Sequence, residues 1–201
     1  MSRGLTAAQA LALLAEGNAR FAADDRRPGS LLTAERRAAL ALAQEPFAIV
    51  LGCSDSRVPV EIVFDQGPGD LFVIRVAGNI VAPSLIGSVE FAAARFGTRL
   101  VVVLGHSSCG AIAATLEELR RPSAIQSPNL KAIVNRIRPA VESIADEREA
   151  MRANILASVE QLRHGSAIIE ELVGAAGLVI VGAWYELDSG RVRFLEETLA
   201  R

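Results

Sequence analysis

The chain has 201 residues, 51% of them hydrophobic and 22% charged, with a formal net charge of −2. That length suits one domain able to bury about 70% of the surface its unfolded form exposes, and the interleaved charge offers neither a basic face for nucleic acid nor a polybasic membrane anchor. Mean hydropathy is positive, yet no run approaches the ~18 apolar residues of a membrane span, so the surplus is read as core.

Thr6 opens an amphipathic helix to about residue 23, with Leu11, Leu13, Leu14, Ala19 and Phe21 along one stripe. Arg3 is followed by an interrupted pattern where a secretory signal needs a continuous apolar stretch, and Cys53 and Cys109 make no disulfide framework, so the expected location is the cytoplasm. A loop over residues 24–30, marked by Pro28-Gly29, precedes a second helix from Thr33 to about Ala43. Phe47 to Leu51 is wholly apolar and suits a strand buried on both faces. Val60 to Phe64 is a second apolar patch, followed by the turn Gln66-Gly67-Pro68-Gly69. Leu71 to Val76 reads as a strand, Ser84 to Phe96 as a helix and Leu100 to Leu104 as a third strand, which is the order of a parallel α/β sheet.

A helix from Gly110 to Arg120 follows, then a loop over 122–128. Asn129 to Ile144 and Glu147 to Leu162 are helical in period, with Pro139 expected to kink or split the first. Ser166 to Val173 is a shorter helix that Gly174 and Gly177 should end. Leu178 to Leu187 is a strand, Asp188-Ser189-Gly190 a turn and Arg191 to Leu195 a returning strand, so the sheet should close with an antiparallel hairpin.

Cys53-Ser54-Asp55-Ser56-Arg57 leaves the first strand with a thiol, a carboxylate and a guanidinium within five residues. Leu104-Gly105-His106-Ser107-Ser108-Cys109-Gly110 repeats the form after the third strand. A lone cysteine is most often a small buried hydrophobe, but two cysteines, a histidine and an aspartate at matching strand ends suit tetrahedral zinc. His106 and Cys109, at i and i+3, should share one face on a turn entering a helix. Asp55 has two possible partners. On the metal it closes the site; paired with Arg57 it leaves the fourth position to water, whose pKa zinc lowers to about 7.

These motifs resemble those of the β-class carbonic anhydrases, and the likeness covers nearly the whole chain. It extends to Glu16-Gly17-Asn18-Ala19-Arg20-Phe21, to residues 64–72 and to Gly182-Ala183-Trp184-Tyr185-Glu186-Leu187-Asp188-Ser189-Gly190. The resemblance implies zinc-dependent, reversible hydration of carbon dioxide to bicarbonate and a proton, by attack of zinc-bound hydroxide. Cys53, His106 and Cys109 would hold one Zn2+ per chain; Asp55 would be the exchangeable ligand, kept off the metal by Arg57. The implied fold is a mostly parallel central sheet with an antiparallel C-terminal hairpin strand and flanking helices. Residues 1–43 would form a helical arm reaching a partner subunit and residues 44–201 the zinc-binding core of a homodimer or higher homo-oligomer, with active sites at the subunit interface.

By position, Gln44 matches a substrate-binding glutamine, Phe72 an apolar wall of the carbon dioxide pocket, and Phe91 stands where many members have tyrosine. Val76 replaces a common asparagine. Some members are shut by bicarbonate in a pocket that breaks the Asp–Arg pair and that uses a tryptophan three residues before the first cysteine; that position is Val50 here, although Arg75 matches the pocket's arginine. His164, after a helix and before Gly165, reads as a surface imidazole. The alternatives are a carbon disulfide or carbonyl sulfide hydrolase on the same fold, and a binding protein whose zinc is structural. Arg57 argues against the last, since a structural site has no need of a cation that removes its own ligand.

Overall fold

The apolar run of the first strand, Ala48–Gly52 (β1), is buried along its whole length, which requires cover on both faces. It lies inside a five-stranded sheet of order β2-β1-β3-β4-β5, with β2 at Leu71–Arg75, β3 at Leu100–His106, β4 at Val179–Tyr185 and β5 at Val192–Phe194. The first four strands are parallel, and β5 returns antiparallel to β4, as the hairpin signal requires. The computed structural model describes residues 4–27, 33–122 and 127–199. The Pro28-Gly29 loop signal and most of the 122–128 loop lie outside them.

Alternation along the strands feeds two cores. Ile49, Leu51, Val101, Val103 and Ile180 face one side, under helices α4 (Pro83–Phe96), α5 (Gly110–Arg120), α6 (Pro128–Val141), α7 (Glu147–His164) and α8 (Ala167–Ala175). Ala48, Val50, Leu100, Val102, Leu104 and Val181 face the other, against α1 (Ala7–Ala22) and α3 (Val60–Val63). The apolar patch 60–64 forms the short helix α3. Among the described residues, no helix is long and apolar enough to cross a membrane.

Helix α1 begins where the capping signal puts it: Thr6 Oγ1 accepts from Gln9 N while Gln9 Oε1 accepts from Thr6 N. It is fastened to its own chain. Buried Asn18 donates to the carbonyls of Val63 and Gly190 and accepts from Val192 N, and Arg20 Nε meets Asp65 Oδ2 at 2.6 Å. Gly17 has no room for a side chain, since a Cβ there would stand 1.9 Å from the Phe64 carbonyl oxygen. Helix α2 (Ala34–Leu40), capped by Thr33, differs in having no buried residue, and Leu42 beyond it is 90% exposed.

Two breaking signals do not act as the sequence suggests. Pro139 sits in the last turn of an unbroken α6, where it costs a single ladder bond while Ile137 and Val141 on either side of it are buried. Gly174 lies inside α8, in open space, and only Gly177, at φ +70°, reverses the chain into β4. Strand β3 runs two residues past Leu104, because Gly105 and His106 pair with Trp184 and Tyr185.

Candidate metal centre

The chain leaves β1 for β2 on one side, while β3 flanks β1 on the other, so the strand order reverses at the carboxyl end of β1. Such a switch point is where open α/β sheets gather ligands. Gly52 pairs with Arg75 of β2 and Leu104 of β3, which puts Cys53 and His106 next to each other at that end. Gly105 permits the approach of α7: a Cβ there would meet Ile155 Cδ1 at 2.6 Å.

Cys109 completes the cluster by a different route from the helical turn anticipated. It is the N-cap of α5, and Ser108 before it adopts φ +55°, so a tight turn rather than a helical one folds Cys109 back toward His106. The turn is tied down at Ser107, whose N–H donates to the Tyr185 carbonyl and whose Oγ accepts from Leu187 N.

The donor atoms of Cys53, His106 and Cys109 lie within 4.8 Å of one another, and all three residues are buried. His106 Nδ1 is 2.9 Å from the Ser107 carbonyl oxygen, which can only accept, so Nδ1 carries the proton and Nε2 the lone pair. Nε2 is buried with no hydrogen-bond partner among the described residues. Two soft sulfurs and an oriented imidazole lone pair converging in a dry site are a donor set for zinc.

The electrostatics agree. Hydrogen bonding from Cys109 draws the Cys53 thiol well down, and the same contact together with burial pushes Cys109 up. Burial presses His106 down, but the neighbouring Cys53 outweighs it and leaves the imidazole raised.

Asp55 does not join the three converging donors. Its Oδ1 accepts from Arg57 Nε and N, each at 2.9 Å, and its Oδ2 from Arg57 Nη2 at 2.7 Å. Arg57 holds the carboxyl well below the usual carboxylate range. The same Nη2 reaches the Ser108 carbonyl, so the pair is braced against the second motif. Oδ2 stands 4.0 Å from His106 Nε2. Arg75 stiffens the first motif, donating from Nε to the Cys53 carbonyl and from Nη2 to the Asp55 carbonyl. Val76 prolongs the β1–β2 pairing through its backbone, to Gly52 and Ser54.

The remaining candidates lie elsewhere in the chain. Gln44 is exposed ahead of β1, at the end of that strand opposite Cys53. Phe72 pairs with Ile49, three residues and about 10 Å along the strand from the Gly52–Arg75 pair. It belongs to an aromatic trio with Phe91 and Phe96, centroids 5.7 to 6.1 Å apart, and Phe91 is 54% exposed. His164 is exposed beside Glu160. Sequence reasoning did not reach the amide of Gly78, which donates to Cys53 Sγ at 3.4 Å, nor the α7 residues behind it. The only sequence signal was a Gly-Asn pair just after a strand.

A buried Cys2His donor set at a sheet switch point, with an Asp–Arg pair beside it, defines the centre of an α/β zinc enzyme. Residues 48–192 match the carbonic anhydrase family. A carbonic anhydrase of Mycolicibacterium smegmatis is 43% identical over 187 residues, 89% of this chain and 88% of that protein. Carbonic anhydrase 2 of Mycobacterium tuberculosis is 38% identical, with 89% and 87% covered. Among solved structures, a β-carbonic anhydrase of Aspergillus fumigatus superposes with a TM-score of 0.69 at 28% identity, covering 82% of this chain and 85% of that one. A tetrameric one of Sordaria macrospora gives 0.68 at 26%, covering 79% and 85%. The chain belongs to the carbonic anhydrase family, in its β class.

Proposed function

We infer that the chain catalyses the reversible hydration of carbon dioxide to bicarbonate and a proton, with one zinc held by Cys53, His106 and Cys109. The observation that carries this reading is the Asp55–Arg57 pair, set beside the donor cluster rather than in it. When bound, zinc supplies a water made acidic enough to be a nucleophile at neutral pH. Arg57 keeps Asp55 turned away from the three donors and fully charged. Asp55 Oδ2, 4.0 Å from His106 Nε2, is placed where it would accept a hydrogen bond from a water on that metal and so orient it toward carbon dioxide.

Gln44, Phe72 and Phe91 fit this reading as parts of a second copy's site. Gln44 stands at the wrong end of β1 for its own Cys53, and Phe91 and Leu42 present apolar surface to solvent. We therefore read the protein as a homodimer or larger homo-oligomer, with residues 1–43 as the arm and 44–201 as the core. Paired zinc thiolates favour a reducing compartment, which supports the cytoplasm.

Stopped-flow carbon dioxide hydration, with and without a chelator, tests the reading. Hydration that tracks about one zinc per chain, and that is lost in Cys109→Ser together with the metal, is the expected outcome. A zinc-loaded chain that hydrates no carbon dioxide, yet cleaves carbon disulfide or carbonyl sulfide, would replace it with the hydrolase alternative.

A further inference from the structure

Behind Cys53 the chain makes a short 3-10 turn, Ala77–Asn79, with two successive residues in left-handed backbone, Gly78 at φ +73° and Asn79 at φ +43°. Asparagine tolerates this region better than other side chains, but two such residues in succession are uncommon and are steadied from behind. Two side chains of α7 do this. Asn154 Nδ2 donates to the Gly78 carbonyl at 2.8 Å, and Ser158 Oγ donates to the Asn79 carbonyl at 3.1 Å. They are four residues apart, on one helical face, and each is only 2% exposed. The front of the turn faces the metal ligand: Gly78 N donates to Cys53 Sγ at 3.4 Å. Gly78 is enclosed, since a Cβ there would stand 2.8 Å from Ile137 Cδ1 and 3.0 Å from Ala111 Cβ.

We propose that Asn154 and Ser158 are positioning residues that set the electron density of the Cys53 sulfur, by clamping the Ala77–Asn79 turn so that the Gly78 amide aims at it. A hydrogen bond to a ligating thiolate withdraws charge that the sulfur would otherwise donate to the metal. Partners of this kind around a ligand commonly change metal affinity or activity 10–100-fold when removed. Both side chains bond the turn, and their effect passes through it. The inference rests on Cys53 being a metal ligand.

The test uses the full-length protein loaded with cobalt(II) in place of zinc, whose sulfur-to-metal charge-transfer band reports thiolate donation directly. Asn154→Leu should move that band to longer wavelength, and Ser158→Ala should move it less in the same direction. Val159→Ala, a core truncation on the same helix that has no bond to the turn, should lower Tm and leave the band where it is. If Asn154→Leu does not fold, Ser158→Ala decides alone. A band unmoved in the clamp variants, or moved equally by Val159→Ala, overturns the inference while leaving the zinc site standing. Wild-type protein that takes up no cobalt overturns the zinc reading and this inference with it.

Discussion

Arg57 grips both carboxylate oxygens of Asp55, from Nε at 2.9 Å and from Nη2 at 2.7 Å, while the same Nη2 also bonds the Ser108 carbonyl. The guanidinium therefore fixes one motif against the other, which a point charge on a flexible stem could not do. Arg57→Ala should keep its zinc and lose hydration on the order of 10²-fold, the size of loss seen when one preorganised polar group is removed from an active site. Arg57→Lys should recover only part of it. Metal content and stopped-flow rates measured on the same samples check this; an alanine variant with wild-type rates would remove the pair from the mechanism.

The five-residue motif was legible because thiol, carboxylate and guanidinium are chemically conspicuous, and Gly52 and Gly105 marked the ends of apolar runs. The strands were legible for the same reason: a run such as Phe47 to Leu51 has no polar residue to expose. What could not be read was set by contacts distant in sequence. Ser108 in left-handed backbone and Pro139 inside α6, with buried Ile137 and Val141 on either side, answer to contacts with neighbouring elements and not to local propensity. The Asn154–Gly78 bond joins residues 76 positions apart, and nothing in either segment announces the other.

Gly105 places His106 by letting α7 lie against β3. Gly105→Ala would drive its Cβ to 2.6 and 2.7 Å from Ile155 Cδ1 and Cγ1 and to 3.3 Å from Met151 Sδ. Both neighbours are buried, so they can give only in part. Overpacking of this kind costs typically about 1–3 kcal/mol. At about 2–4 °C per kcal/mol for a chain of this size, thermal melts of the zinc-loaded variant should fall by roughly 2–12 °C, with weaker metal retention. An unchanged Tm would mean that α7 can back away from β3.

Assembly should prove necessary for activity. Among the described residues strand β2 is at the edge of the sheet, and its Phe72 packs with exposed Phe91; an unpaired strand edge beside exposed apolar surface invites a second chain. Light scattering should find a dimer or larger, and Gln44→Ala, whose side chain is far from its own Cys53, should still lower kcat/KM. An active monomer would refute the shared site.

Regulation by bicarbonate turns on Val50 and Arg75. Val50 is fully buried in the core between β1 and α1, and it offers no N–H to an anion. Arg75 donates from Nε to the Cys53 carbonyl and from Nη2 to the Asp55 carbonyl, so these donors serve the loop that carries the metal ligand. An anion entering here would have to displace those bonds and would lack the hydrogen bond that an indole supplies. A buried polar group missing one partner loses roughly 1–3 kcal/mol, or about one to two decades of affinity. Bicarbonate should therefore inhibit hydration without cooperativity, with a Hill coefficient near one, and the Asp55–Arg57 pair should persist in its presence. Sigmoidal inhibition in stopped-flow assays, or a crystal structure grown in bicarbonate with Asp55 moved off Arg57, would show that the switch works without the tryptophan.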